Sequence, residues 1–307
     1  MDKLLHYTIS RKLGRGKHGD VYVALDTGLD RVVAIKCLTP PLLTGQHRER
    51  FLDDMDTLLY LDDPHIASFY SLEDIDGQQY IIREYVEGQS ASQLLASGPV
   101  PYERALALGQ QAASGLQHAH RRNVLHLNVT SSNLFVTRRG PVRLLDFGLP
   151  FAPPDTDPAC ADPADLVYLA PEQIAGKPVD HRADLYALGV VIYEMLTGRP
   201  PFSGDDAGSI MDSILHRAPD LACAEVKALP DEARLLLGKL LSRDPADRFS
   251  GSDELRATLQ AMTAYLSEDR VPVPPEPRSG TGRQYLLIAL LIVLLLVFWV
   301  VVTTVWR

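Results

Sequence analysis

The segment His126-Leu127-Asn128-Val129-Thr130-Ser131-Ser132-Asn133 and the tripeptide Asp146-Phe147-Gly148 decide how this sequence is interpreted. The tripeptide places a carboxylate directly after an apolar run and has the form of a metal-binding signature. Two apolar runs between the segments, Leu134–Val136 and Val142–Leu145, predict short strands. We take the two segments as the candidate catalytic and metal-binding elements of the chain.

Length and composition are those of an ordinary globular protein. The 307 residues are 46% hydrophobic and 22% charged, which allows one two-lobed domain or two small ones. The formal net charge of −9, without a basic stripe, argues against a nucleic-acid partner. Cys37, Cys160 and Cys223 lie far apart, so they suit a reducing compartment and form no metal-site pattern.

Residues 285–306 are uncharged and almost wholly apolar. A stretch of about 20 apolar residues crosses a bilayer, so this segment predicts a transmembrane helix. Aromatic residues lie near both of its ends, as at membrane interfaces (Tyr285, Trp299, Trp306). The alternative is a buried core helix, which normally keeps a polar face. Arginines are more numerous before the segment than after it, which predicts single-pass anchoring in the inner (cytoplasmic) membrane with the main domain in the cytosol.

A glycine-rich hairpin is predicted near the N-terminus, within Leu13–Val23. Its pattern Gly14-x-Gly16-x-x-Gly19 is weak evidence alone, because the dinucleotide-binding version opens a helix. Here Val21–Ala24 continues as a strand, so a hairpin over a ligand fits better. Glycines there let the backbone approach phosphates closely. Val33–Lys36 follows as an apolar strand that ends in a lysine, which is either a solvated strand end or a phosphate contact.

Periodicity predicts the remaining elements. Apolar spacing indicates a helix over Arg48–Leu61, with Phe51, Met55, Leu58 and Leu59 on one face. Two strands, Ile66–Leu72 and Gln79–Tyr85, flank an Asp76-Gly77 turn. Beyond a hinge at Glu87-Gly88 the period becomes helical, and a mobile loop is predicted from Gly148 to Asp165. The later helices are expected over Ser90–Ser97, Tyr102–Arg122, Ala183–Thr197, Asp206–Arg217, Glu232–Leu241 and Ser252–Leu266.

Seven short motifs occur in an order typical of protein kinases. They are Gly14-x-Gly16-x-x-Gly19-x-Val21, Val33-Ala34-Ile35-Lys36, His126-x-x-Val129-x-x-x-Asn133, Asp146-Phe147-Gly148, Ala170-Pro171-Glu172, Asp184-x-Tyr186-x-x-Gly189 and Asp244-Pro245-x-x-Arg248. Residues 5–266 thus resemble that family. The segment Tyr168-Leu169-Ala170-Pro171-Glu172-Gln173 resembles the corresponding segment of bacterial membrane-anchored Ser/Thr kinases in particular.

The resemblance implies an α+β, bilobal protein-kinase-like fold followed by one transmembrane helix. It assigns residues 1–86 to a β-rich N-lobe and residues 87–267 to an α-helical C-lobe. Residues 268–284, rich in proline and glycine, are a predicted juxtamembrane linker, and residues 285–306 are the span.

The resemblance also implies ATP and Mg²⁺ as ligands. Lys36 would hold the α- and β-phosphates, while Asn133 and Asp146 would hold the metal. The acidic partner of Lys36 aligns best with Asp54, and Glu49 is the alternative. The other expected nucleotide-binding positions are Gly14, Gly16, Gly19, Val21, Ala34, Arg83 and the hinge from Glu84 to Val86.

The sequence departs from the family at three positions of the candidate catalytic loop and at Asp165, outside it. Asn128 replaces the aspartate that accepts the substrate's proton, and Thr130 replaces a lysine directed at the γ-phosphate. Asp165 falls where the family has a threonine that bonds both of those residues. Leu127 replaces the arginine that pairs with a phosphorylated activation loop, so activation by loop phosphorylation is not expected.

Arg83 stands at the position before the hinge that is normally apolar or small. A guanidinium stays charged and seeks a carboxylate. We expect it either to reach Asp54 or Asp146 and remodel the back of the cleft, or to extend outward past the hinge.

The sequence predicts a membrane-tethered pseudokinase or scaffold that binds ATP and Mg²⁺, has lost or strongly reduced phosphotransfer, and has a protein as its partner or substrate. The alternative is an active but slow Ser/Thr kinase that transfers the γ-phosphate to protein hydroxyls. A third class, a structural or transport role based on the membrane segment, also stays open.

Overall fold

A computed structural model describes residues 3–16, 19–39, 43, 45–149 and 163–268 of the chain. The N-terminal part contains an antiparallel sheet with the strand order β1-β2-β3-β4-β6-β5. A helix, α1, lies between β4 and β5 in the sequence. The elements are β1 (Lys3–Leu4), β2 (Tyr7–Gly16), β3 (Gly19–Asp26), β4 (Arg31–Leu38), α1 (Gly45–Leu59), β5 (Phe69–Ile75) and β6 (Gln78–Glu84).

The sheet forms because β-branched and aromatic residues place one apolar face against a common core. Val33 and Ile35 of β4 are fully buried there beside Ile82 of β6. The predicted Asp76-Gly77 turn joins β5 and β6, and both residues have positive φ (53° and 78°), as a tight hairpin turn requires. These observations confirm the predicted hairpin.

Two details of this part differ from the prediction. The strand expected over Ile66–Leu72 begins at Phe69, because Ile66 pairs with Leu144 in a parallel bridge instead. The amide of Ala67 also donates to the carbonyl of Leu144 at 2.9 Å. On α1, Leu59 is 41% exposed, although we expected it on the buried face with Leu58. Adjacent helical residues point about 100° apart, so the two leucines cannot share a narrow stripe.

The C-terminal part is mainly helical, with a small sheet of β7, β8 and β9 at its start. Helix α6 is its centre, since nearly every residue from Ala183 to Thr197 is buried. Gly109 of α3 lets that helix approach α6 closely, because a Cβ there would lie 2.9 Å from Ile192. The elements are β7 (Gly88–Ser90), α2 (Ala91–Leu95), α3 (Tyr102–His120), β8 (Leu134–Thr137), β9 (Val142–Leu144), α4 (Pro163–Leu166), α5 (Pro171–Ile174), α6 (Arg182–Thr197), α7 (Ala207–His216), α8 (Ala224–Lys227), α9 (Asp231–Leu240), a 3₁₀ turn (Pro245–Asp247) and α10 (Ser252–Glu268).

The predicted mobile loop from Gly148 to Asp165 lies mostly outside the described residues. Its end differs from the prediction, because Pro163–Leu166 forms the short helix α4 and includes Asp165. Pro163 suits the first helical turn, where no backbone donor is needed. No helix within the described ranges is long and apolar enough to cross a membrane, and the predicted span at 285–306 is not among them.

The described residues therefore form two lobes, one rich in strands and one rich in helices, as expected. The bridge at Ile66 and Leu144 and the chain from Glu84 to Gly88 connect the lobes. The segment His126–Asn133 and Asp146 lie where the two lobes meet.

Candidate active site

The loop that starts at His126 is held by one carboxylate of helix α6. Asp184 is 1% exposed and accepts hydrogen bonds from the amides of His126 at 2.8 Å and Leu127 at 2.7 Å. His120 Nε2 lies 2.7 Å from the same carboxylate, and its Nδ1 lies 2.7 Å from Ser252 Oγ. Helices α3, α6 and α10 thus fix the start of the loop.

Two residues of the site have a left-handed backbone that L-residues rarely adopt. Leu127 has φ 58° and Asp146 has φ 64°. Such conformations cost about 1–3 kcal/mol and persist where surrounding contacts impose them. At Leu127 the contact is the hydrogen bond to Asp184. The loop geometry is therefore set by tertiary contacts rather than by local preference.

A cleft of about 460 Å³ lies between the lobes. We call it the interlobe cleft. Most of the predicted site residues line it: Gly14, Gly16, Val21, Ala34, Lys36, Arg83, Val86, Asn128, Thr130, Asn133 and Asp146. Asp165 of α4 lines it as well. The fold therefore brings residues that lie far apart in the sequence, from Gly14 to Asp165, to one cavity.

Three buried charges meet at the back of the interlobe cleft. Lys36 Nζ lies 2.6 Å from Asp146 Oδ2, and both side chains are 6% exposed. Arg83 Nε lies 3.5 Å from Asp146 Oδ1 with 11% of its side chain exposed. Arg83 Nη1 also donates to the carbonyl of Glu84 at 3.3 Å. Of the two orientations considered for Arg83, the structure has the one directed at Asp146.

The amide side chains of the loop are oriented by the loop itself. Asn133 Nδ2 donates to the carbonyl of Asn128 at 2.8 Å, and the amide of Asn133 donates to Thr130 Oγ1 at 3.2 Å. Asn128 is 4% exposed, and its Oδ1 has no hydrogen-bond partner among the described residues. Buried side-chain oxygens normally accept a hydrogen bond, so this oxygen is an unsatisfied acceptor.

Gly19, Asp54 and Glu84 were predicted at the site but do not line the interlobe cleft. Gly19 has φ 126°, and a Cβ there would collide with the carbonyl oxygen of Cys37, so its role is the close approach of β3 to β4. Asp54 is half-buried on α1, while the ion pair seen for Lys36 is made with Asp146.

Glu84 serves the connection between the lobes. Its carboxylate accepts from the amide of Ser68 at 3.1 Å and lies 3.3 Å from Arg143 Nη2. Its own amide donates to the carbonyl of Ser68 at 2.8 Å. The side chain therefore faces the linking segment rather than the cavity, although its carbonyl stays near Arg83.

Sequence reasoning missed several contributors. Phe135, Leu145, Ser90 and Gln93 also line the interlobe cleft. Phe135 and Leu145 lie in apolar runs of the sequence, and such runs predict buried strands but not a position at a binding cleft. The positioning role of Asp184 was also missed, although it stands in a quoted motif, because no local pattern links it to Leu127.

Burial also sets the protonation state of His126. This imidazole is fully buried, and its ring lies 4.1 Å from the ring of Phe147. Burial lowers the pKa of His126, and the nearby carboxylate of Asp184 opposes that shift only in part. The neutral ring accepts from the amide of Asn128 through Nδ1 at 3.3 Å.

The donor set at the base of the interlobe cleft fits a hard divalent cation. Asn133 donates its side-chain amide N–H to the carbonyl of Asn128, which leaves its Oδ1 as an acceptor, and Asp146 supplies a carboxylate. Oxygen ligands of this type suit Mg²⁺. Lys36 and the glycine-rich strands add a cation and close backbone approach, which suit a phosphate chain.

Comparison with known proteins identifies the family of this chain. Residues 7–261 match the family model described as protein kinase domain. The chain is 32% identical over 275 residues to serine/threonine-protein kinase PrkC of Bacillus subtilis (strain 168), covering 87% of this chain and 42% of that protein. It is also 32% identical over 270 residues to serine/threonine-protein kinase PknE of Mycobacterium tuberculosis (strain CDC 1551 / Oshkosh), covering 86% and 47%. The chain thus spans less than half the length of these two relatives.

A solved structure is similar over most of its length. The crystal structure of the Mycobacterium tuberculosis PknI kinase domain has a TM-score of 0.69 and 30% sequence identity, covering 84% of this chain and 97% of that one. Together with the interlobe cleft, these similarities show that the chain belongs to the protein kinase domain family and has the eukaryotic-type fold of bacterial serine/threonine kinases.

Proposed function

We propose that this domain binds ATP with Mg²⁺ in the interlobe cleft and has lost, or retains only weakly, the transfer of phosphate to protein hydroxyls. Protein kinases in general bind ATP and Mg²⁺ and act on protein substrates. The observation that carries the proposal is the position of Asn128, which lines a cleft that still contains Lys36, Asn133 and Asp146.

Nucleotide binding depends on the residues that the cleft retains. Mg²⁺ held by Asn133 and Asp146 would neutralise charge on the phosphoryl oxygens. Lys36 would contact the phosphates, and its ion pair with Asp146 would weaken when it does so. The glycines of β2 leave room for the phosphate chain to approach the backbone.

Proton transfer is the step that the cleft no longer supports. A carboxylate at position 128 would take the proton of the substrate hydroxyl, whereas the amide of Asn128 does not. Loss of a general base costs about 10²–10⁴ in rate. Thr130 is neutral where the family has a lysine, and loss of one such electrostatic contact costs about 10²–10³ more.

A slow Ser/Thr kinase is the second candidate function. It is favoured by one observation, since the carboxylate-bearing Asp165 lines the same cleft as Asn128 and Thr130. A carboxylate there would have the chemistry that Asn128 lacks, if it reaches the acceptor hydroxyl. The names of the curated relatives, which are serine/threonine kinases, support this candidate as well.

The organisation of the whole chain is also part of the proposal. We assign residues 1–86 to the N-lobe, 87–267 to the C-lobe, 268–284 to a linker and 285–306 to a single membrane span. The apolar, uncharged sequence of the span and the arginines before it support anchoring in the cytoplasmic membrane. A membrane-held kinase fold with impaired transfer would act as a scaffold or allosteric partner of another protein.

Nucleotide binding is tested by thermal and chemical unfolding of the full chain in mild detergent. ATP and Mg²⁺ at about 100 times the dissociation constant should stabilise the folded state by about 2.7 kcal/mol. Lys36→Met, which removes the cation expected at the phosphates, should abolish most of this gain, while Asp212→Ala, an exposed control, should keep it. An unchanged unfolding midpoint at millimolar ATP would contradict the proposal.

Phosphotransfer is tested with radiolabelled ATP and a generic protein acceptor. We expect almost no transfer by the wild type and transfer increased by about 10²–10⁴ in Asn128→Asp. Ordinary kinase rates in the wild type that vanish in Asp146→Ala would establish an active enzyme. If Asp165→Asn also removed that activity while Asp205→Asn did not, Asp165 would be the compensating base.

A further inference from the structure

We propose that Arg83 acts as a built-in cation at the metal-binding carboxylate Asp146, so that nucleoside triphosphate binding depends little on a divalent ion. This role of Arg83 rests on the proposed nucleotide binding, and it names the charge that would compensate the phosphates. Position 83 is normally apolar or small in the family that the chain resembles.

The sheet register brings Arg83 and Lys36 to the same face. Ala34 of β4 pairs with Arg83 of β6, and Lys36 pairs with Ile81. Side chains alternate along each strand, and paired residues point to the same face, so Arg83 and Lys36 both enter the interlobe cleft. The two cations consequently approach one carboxylate from neighbouring strands.

The distances make Asp146 a shared partner. Its Oδ2 lies 2.6 Å from Lys36 Nζ and its Oδ1 lies 3.5 Å from Arg83 Nε. None of the three side chains is more than 11% exposed, so water screens these charges weakly. Lys36 and Arg83 therefore place two positive charges beside the one carboxylate of Asp146 before any metal ion enters.

The guanidinium of Arg83 makes one further contact beside the cleft. Its Nη1 donates to the carbonyl of Glu84 at 3.3 Å, and its side chain lines both the interlobe cleft and a small cavity behind it. An arginine stays protonated at every accessible pH. Its positive charge is therefore a permanent part of the cleft.

A fixed cation changes what a divalent ion contributes. A triphosphate brings several negative charges, and in the usual site the metal neutralises many of them. Here Arg83 and Lys36 already face the place where phosphates would lie, and Arg83 repels a further cation near Asp146. Nucleotide affinity should therefore be nearly the same with and without Mg²⁺.

The test is isothermal titration calorimetry of the full chain in detergent with ATP, in buffer with Mg²⁺ and in buffer with EDTA. For the wild type, the two dissociation constants should differ by less than about threefold. For Arg83→Met, which has similar length and no charge, removal of Mg²⁺ should weaken binding about tenfold or more. Arg83→Lys should behave as the wild type because it keeps a cation.

The control is Arg121→Met, which changes the net charge equally at an exposed position that does not line the cleft and should keep the wild-type ratio. Equal Mg²⁺ dependence in the wild type and Arg83→Met would overturn the inference while leaving nucleotide binding intact. Tighter binding by Arg83→Met in both buffers would also overturn it, since Arg83 would then only obstruct the cleft. No binding by the wild type or either Arg83 variant in either buffer would overturn the proposed function itself, and the inference with it.

Discussion

Asp184 accepts the backbone amide of Leu127 at 2.7 Å, although 57 positions separate them in the chain. The same carboxylate binds the amide of His126 at 2.8 Å. Leu127 has a left-handed backbone there, and the hydrogen bond compensates for that unfavourable conformation. A helix in the core of the C-lobe thus sets the shape of the loop that carries Asn128.

Asp184→Asn should destabilise the fold by about 1–3 kcal/mol, because an amide keeps one acceptor oxygen where the carboxylate accepts from the amides of His126 and Leu127 and from His120 Nε2. The loss should appear in urea unfolding and should be accompanied by weaker nucleotide binding as the loop loosens. Asp220→Asn removes an exposed carboxylate beside Arg199 and is the matched control, with a change below about 1 kcal/mol. Equal stability of the Asp184 and Asp220 variants would contradict this role.

Glu172 and Arg248 form a buried ion pair in the C-lobe. Arg248 makes two parallel bonds to the carboxylate, at 2.7 and 2.8 Å, and the arginine side chain is fully buried. Breaking such a pair leaves an isolated buried charge and costs about 3–5 kcal/mol, so Arg248→Met should lower the unfolding free energy by that amount.

The double variant Glu172→Met/Arg248→Met should be more stable than Arg248→Met, since it removes both charges. Chemical denaturation of the two single variants and the double variant measures the coupling. Arg199→Met, at an exposed pair, should change stability by less than about 1 kcal/mol. A double variant less stable than both single variants would refute this account.

Tyr168 links the loop His126–Asn133 to helix α6. Its hydroxyl donates to Glu194 Oε2 at 2.6 Å and lies 2.8 Å from Ser131 Oγ. Burial raises the pKa of Glu194, and the bond from Tyr168 opposes that shift. Tyr168→Phe should therefore cost about 1–3 kcal/mol and raise the pKa of Glu194 further. Thermal unfolding of this variant beside Tyr60→Phe, at an exposed tyrosine, is the measurement; equal midpoints would count against the link.

Acidification should destabilise the domain through His126. Its pKa is lowered by burial, so below pH 6.5 the unfolded chain binds a proton that the folded state resists. Stability present at pH 7.5 is thus lost as pH falls, by up to about 1.4 kcal/mol at pH 5.5. Urea unfolding of the wild type and His126→Gln at both pH values measures the difference, and the variant should show the smaller decrease. A wild type with no greater decrease than the variant would contradict the assignment.

Local sequence was enough to predict much of the fold. The Asp76-Gly77 turn follows from the positive φ that a two-residue hairpin needs at both positions. The start of helix α3 at Tyr102 follows from apolar spacing after Pro101. The strand predicted from Ile66 starts later, because a local pattern does not distinguish pairing with β6 from pairing with Leu144.

Sequence alone determined the two-lobed kinase fold, the presence of Asn128 where a base is expected, and most residues that line the interlobe cleft. Tertiary structure decided that Lys36 pairs with Asp146, that Arg83 turns toward the same carboxylate, and that Asp184 shapes the loop. Sequence patterns report backbone preference and burial along one element. The direction of a long charged side chain depends on which opposite charges distant elements bring within a few ångströms, and only the folded chain specifies that.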